Sequence, residues 1–220
     1  AYRRQRFGLA HRSLLVAIVL TGLWALAGAA WGADSPGAAV AEAARNLGWL
    51  FALYRLFAVD GRHASMRPVR PMLAALAFAE LVQVTAVLLV AESVANLPVG
   101  TFGLRSIAVF HLLVSTGGLV LVHNLYGGAS GHARLLLRWP ALALAVLWIF
   151  DLNLYTIGYL SGGTPEMLSA LRGGMGIAAA GLVAFGARSG SEALRFRPSR
   201  AVAFQSASLL LIGGYLIAMV

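Results

Sequence analysis

Between Arg138 and Tyr159 the chain reads as one apolar run interrupted by Asp151, Asn153 and Tyr155. A carboxylate at the centre of an apolar helix costs about 2.5–3.5 kcal/mol on insertion scales, so it needs a cation, a water-filled cavity or a proton. Other polar residues interrupt other apolar runs: Arg45 and Asn46, Glu80 and Gln83, His111 and Ser115, and Arg172. Counted from the ends of their runs at about 1.5 Å per residue, these groups converge on one half of a bilayer. Trp148, Asp151 and Tyr155 share a helix face by three- and four-residue steps. So do Glu80 and Gln83, and Glu42, Arg45 and Trp49. The chemistry open to this set is ion pairing, with Asp151 against Arg172 or Arg45 the first pairing expected. Such a cluster either holds a helix bundle together or forms a ligand- or proton-sensing pocket, since ionisable groups inside a membrane are functional candidates by default. His111 taken alone reads as a hydrogen-bonded interior residue.

Nothing else in the chain assembles into catalytic chemistry, and the catalytic set is expected to be empty. Gly128-Ala129-Ser130-Gly131-His132 has the letters of an intramembrane serine nucleophile motif, but it falls between apolar runs, next to Arg134, and reads as a turn. His11, His63, His123 and His132 stand at the edges of the runs, with no spacing that holds haem or a metal ion. There is no cysteine, so disulfides and thiolate sites are excluded. All 17 basic residues are arginine, and without lysine a retinal Schiff base is excluded.

The elements that must position the polar groups follow from composition. The chain is 60% hydrophobic and 11% charged, with mean hydropathy +0.80. Soluble domains carry about 25% charged residues. The expected fold is an all-α, polytopic membrane helix bundle, because only helices and closed barrels satisfy their backbone in lipid, and these runs are continuous rather than alternating. About seven runs reach bilayer length: 13–31, 38–59, 71–91, 104–122, 140–160, 167–187 and 201–220. Gly28 and Gly32 in the first run, and Gly173, Gly174, Ala178 and Gly181 in the sixth, have the small-residue spacing of closely packed helices. Trp24, Trp31, Trp49, Trp139 and Trp148 include several near the ends of their runs, as an interfacial belt requires.

The arginines set an orientation. Residues 1–12, 55–70, 123–138 and 188–200 hold fourteen of them, against three (Arg45, Arg105 and Arg172) on the opposite side. By the positive-inside rule the N-terminus is cytoplasmic, and seven crossings put Val220 on the periplasmic side. The net charge of +9 is therefore read as topology, with no nucleic acid as partner. The opening Ala-Tyr-Arg-Arg-Gln-Arg and the apolar end are expected to be cut points in a longer protein.

Four segments then carry a resemblance. They are Gly117-Gly118-Leu119-Val120-Leu121-Val122-His123-Asn124-Leu125-Tyr126, Phe150-Asp151-Leu152-Asn153-Leu154-Tyr155, Ala170-Leu171-Arg172-Gly173, and Pro198-Ser199-Arg200-Ala201-Val202-Ala203-Phe204. Their order and spacing resemble the N-terminal membrane region of the PrsK family, sensor histidine kinases of the PEP-CTERM/exosortase exopolysaccharide system of Gram-negative bacteria. The likeness is best over 113–220. It departs at Gln205, where the family pattern has His. The resemblance implies a sensor or anchoring domain in the bacterial inner membrane. It further implies one more span after Val220, then a GAF domain and a kinase core that uses ATP and Mg, pairs as a homodimer and phosphorylates a response regulator. No cofactor is expected in residues 1–220, whose partner is the lipid bilayer. The other reading of the same polar cluster is a transporter or channel-like protein with a proton or solute path. The inverted pairs of broken helices found in many transporters are not evident.

Overall fold

A computed structural model describes residues 2–58, 69–93, 101–129, 131–163 and 165–188. The described residues are all-helical. Six helices follow one another: α1 (Tyr2–Trp31), α2 (Pro36–Ala58), α3 (Val69–Ser93), α4 (Thr101–Gly127), α5 (Gly131–Ser161) and α6 (Glu166–Arg188). Six of the seven expected spans coincide with these helices, each of which begins before its expected start. The seventh, 201–220, lies outside the described residues. The largest extensions are at α1, which begins eleven residues before the expected start, and at α5, which begins nine residues before Pro140 and carries that proline within it. Proline was expected to open this helix.

The helix ends follow local chemistry. α1 closes on Gly32, whose φ of +88° is the left-handed conformation that favours glycine. The Gly32 amide donates to the Gly28 carbonyl at 3.0 Å. Ser35 then caps α2: its Oγ accepts from the Ala38 amide at 3.1 Å and donates to the Gly32 carbonyl at 2.8 Å. Pro36 follows at the first helical position, where its missing N–H costs nothing. Ser35→Ala is expected to cost about 1 kcal/mol, seen as a lower unfolding midpoint. At the far end of α4, Arg134 Nη2 donates to the Gly127 carbonyl at 2.9 Å, which ties the turn at Gly128 to the start of α5.

Each helix packs on the next, α6 returns to α1, and α2 also touches α4 across the middle. The inside of this ring has two layers. Toward the ends of α2 and α4 and the start of α3 it is apolar, with Leu53, Phe57, Leu73, Leu121, Leu125 and Leu144 buried together. Toward the opposite end it is polar. The outer face carries exposed Leu15, Val19, Leu26, Phe78, Leu81, Leu89 and Ile149. Apolar outside and charged inside is the reverse of a soluble domain.

Four segments are long and apolar enough to cross a membrane: Arg12–Trp31, Val69–Ala91, Arg105–Gly127 and Leu137–Ser161. They are what marks a membrane protein here. α2 falls short of that measure because Glu42, Arg45 and Asn46 lower its hydropathy, and all three are turned inward.

Among the described residues, close glycine contacts fall at other positions than those named from the sequence. An added Cβ at Gly28, Gly32, Gly173, Gly174 or Gly181 would meet nothing within 4 Å among the described residues, and Ala178 is exposed. Gly32 serves as a helix stop instead. Small-residue spacing alone does not say which face turns inward. The close approaches fall at Gly176, against Trp24 and Thr21, at Gly48, against Leu20, and at Gly117, against Leu76. At Gly118 a Cβ would lie 2.6 Å from Trp148 ring atoms. Trp148 is buried and has nowhere to move. Gly118→Ala is therefore expected to destabilise by about 1–3 kcal/mol through overpacking. Gly28→Ala should be neutral or stabilising in the same unfolding assay. Trp24, Trp49 and Trp148 are interior rather than part of an interfacial belt.

Candidate functional site

The polar layer is built by residues near the middle of each helix. Asp151 lies ten residues before the end of α5, about 15 Å along its axis. Arg45 lies nine residues into α2, about 14 Å. Helical spacing turns Glu42, Arg45 and Asn46 of α2 inward together, and Glu80 and Gln83 of α3 do the same. α4 supplies His111 and Ser115, α5 supplies Asp151 and Tyr155, and α6 supplies Arg172. All are buried.

Arg172 is at the centre. Its Nε donates to Asp151 Oδ1 at 2.7 Å and its Nη1 to Glu42 Oε2 at 2.7 Å. Its Nη2 donates to Glu42 Oε1. The planar fork thus holds one carboxylate with two donors and a second carboxylate with the third, a geometry that lysine could not supply. Arg45 Nη2 donates to the other Asp151 oxygen, Oδ2, at 2.7 Å. Asp151 is therefore shared between two arginines. Arg45 Nη2 also lies 3.9 Å from Glu42 Oε1, which closes a ring of two acids and two bases across α2, α5 and α6.

Neutral groups extend the ring. Tyr155 Oη donates to Glu42 Oε1 at 2.8 Å. The His111 ring stacks on Tyr155 with centroids 3.7 Å apart and planes 8° from parallel. Its Nδ1 lies 3.4 Å from Glu42 Oε1, and its Nε2 is 2.8 Å from Gln83 Nε2. The arrangement fits a neutral imidazole that accepts the Gln83 amide at Nε2 and turns its Nδ1–H toward Glu42. Arg45 Nε and Nη2 donate to Asn46 Oδ1 at 3.1 and 2.9 Å, and Asn46 Nδ2 donates to Glu80 Oε1 at 3.0 Å. From α1, the Trp24 ring receives both cations, with Arg45 Cζ 4.1 Å and Arg172 Cζ 4.9 Å from its centroid. Beside it, Thr21 Oγ1 accepts from Trp49 Nε1 at 3.0 Å and donates to the Ala17 carbonyl at 2.8 Å.

Of the residues named from sequence, Asp151, Tyr155, Arg172, Arg45, Glu80, Gln83 and His111 meet in this layer. Asn153 does not. It points out of the bundle and donates to the Ile149 carbonyl of its own helix at 2.8 Å. Two residues from Asp151, it stands on the opposite side of α5. Asp151 has both expected arginine partners rather than one. The second acid of the ring is Glu42, which the sequence had placed on a face with Arg45 and Trp49 but not among the expected partners of the arginines. Its three-residue step to Arg45 was the available signal. Glu80, nearest mid-helix by residue count, pairs with neither arginine. Trp24 carried no signal beyond its being aromatic.

Four buried polar atoms have no partner among the described residues: Arg45 Nη1, Glu80 Oε2, Gln83 Oε1 and Trp148 Nε1. No group of three or more His, Cys, Asp or Glu among the described residues could hold a metal ion. The layer can pair charges, exchange partners and bind a proton. It presents no nucleophile joined to a base. No family model, no curated protein and no solved structure matches the chain.

Proposed function

We propose that the chain is a membrane-embedded signal-input domain, of about seven spans, from a bacterial inner-membrane sensor histidine kinase of the PEP-CTERM/exosortase kind. The observation that carries this reading is the closed ring Glu42–Arg172–Asp151–Arg45. A buried ion pair is seldom more stable than apolar residues of the same volume, whereas losing one partner is costly. Such a ring is poor as glue and good as a latch. It joins α2, α5 and α6 only while every charge keeps its partner, so a shift in one helix must be answered by the others. Signal transmission through it needs a second arrangement of the same charges, which a change in one pairing would supply. The kinase assignment itself rests on the resemblance over 113–220. The cytoplasmic N-terminus and periplasmic Val220 rest on the arginine distribution.

The test is ATP-dependent autophosphorylation of the full-length protein in proteoliposomes, comparing wild type with Tyr155→Phe. That variant removes one hydrogen bond to Glu42 and leaves the ion pairs in place. A labelled phosphohistidine whose rate changes in the variant supports the reading. Absence of phosphorylation in wild type, with solute or proton flux into the same liposomes, would replace it with the transporter reading.

A further inference from the structure

Glu80 is the acid of the polar layer that the ion pairs leave over. Two guanidiniums face three carboxyl groups, and both are occupied by Glu42 and Asp151. Glu80 is fully buried, and its Oε1 has only the neutral Asn46 amide. Its Oε2 has no partner among the described residues, nor does Oε1 of Gln83, one helical turn further along the same face. Both are acceptors on one helix face, and neither has a donor among the described residues. A proton on Glu80 Oε2 would turn one of these acceptors into a donor. A hard cation would need more, since such ions take about six or more oxygens.

The charged and titratable groups facing Glu80 are Glu42 and Arg45 from α2 and His111, through Gln83, from α4, with Asp151, Tyr155 and Arg172 beyond them. Arg45 alone has a donor to spare, its buried Nη1. Asn46 already links the two side chains, accepting from Arg45 and donating to Glu80.

We propose that Glu80 is a proton-binding site, held as the neutral acid between Asn46 and Gln83, whose ionisation draws Arg45 away from Asp151. On release, the O–H bond at Oε2 breaks, the electron pair stays on that oxygen and the proton goes to water. The new carboxylate then competes with Asp151 for Arg45, so proton occupancy at α3 sets the pairing between α2 and α5. The site is defined by the bundle alone and holds whether or not a kinase follows.

Infrared spectroscopy of the purified protein in lipid tests it. The expected result at neutral pH is a carboxylic-acid C=O band that moves down in D2O and is absent from Glu80→Gln. Raising the pH should remove the band in wild type and change the tryptophan fluorescence as Arg45 leaves the Trp24 ring. Absence of the band in wild type, its survival in Glu80→Gln, or its loss on adding sodium at fixed pH overturns the proton site. Loss of the band with unchanged fluorescence overturns the coupling to Arg45. Should Glu80→Gln not fold, wild type labelled with 13C at the glutamate carboxyl decides. A band that shifts with the label supports the proposal, and one that does not shift overturns it.

Discussion

Replacing Arg172 with alanine is expected to lower the stability of the bundle by about 3–5 kcal/mol, the usual cost of removing one member of a buried charge network. The side chain makes three charge-assisted hydrogen bonds, to Asp151 and to both oxygens of Glu42. It also lies over the rings of Trp24 and Tyr155, each 4.9 Å from its Cζ. Truncation leaves Glu42 with the Tyr155 hydroxyl, the His111 Nδ1 side and the distant Arg45, and empties the space between α1, α5 and α6. Unfolding by SDS in mixed micelles, followed by tryptophan fluorescence, would measure it. The magnitude separates two descriptions of the site. Polar contacts between membrane helices average about 0.6 kcal/mol. A loss of that size would mean that Arg172 is one contact among many, and the ring would not be a unit. Asn153→Ala is the internal control. It is exposed and bonded only within its own turn, so a change within about 0.5 kcal/mol is expected.

The difference between Asp151 and Asn153 also shows what the sequence could and could not convey. Helix existence was legible because apolar runs of bilayer length leave few other options, and six runs are helices. Faces were legible where two or more polar residues shared one. Trp148, Asp151 and Tyr155 are all buried, as their spacing implies, and so are Glu80 and Gln83. A single residue such as Asn153 had no companion to fix its side. Partner choice was legible for Asp151, which meets both expected arginines, but not for the other acids, because depth counts place Glu42, Arg45, Glu80 and Arg172 only to within about a turn, roughly 5 Å. One turn decides whether Arg172 meets Glu42 or Glu80. The glycines pose a related problem. Among the described residues Gly176 meets Trp24, while Gly173 and Gly174, up to one turn away, meet nothing. Which glycine is used depends on the large side chain opposite, and no pattern within α6 contains that information. The tryptophans followed the same rule, since Trp24 and Trp148 are interior because cations and a glycine await them there.

The second large effect is expected at Asp151, and it is best read as a cycle rather than a single change. Asp151→Asn keeps the shape and one acceptor oxygen but removes the charge shared by Arg45 and Arg172. Two guanidiniums are then left with Glu42 alone within 4.0 Å, and Arg45 reaches it only at 3.9 Å. The expected cost is again about 3–5 kcal/mol. Adding Arg45→Met to Asp151→Asn removes the excess cation while its apolar chain still fills the space beside Trp24. Glu42 and Arg172 then remain as a balanced pair. The double variant should therefore be more stable than the sum of the two single changes implies, with a coupling of about 0.5–3 kcal/mol in the same assay. Additivity within about 0.5 kcal/mol would show that Asp151 is held by Arg172 alone, with Arg45 carried by Asn46 and the Trp24 ring. In that case the connection between α2 and α5 is not electrostatic, and a charge appearing on Glu80 would have nothing to pull apart.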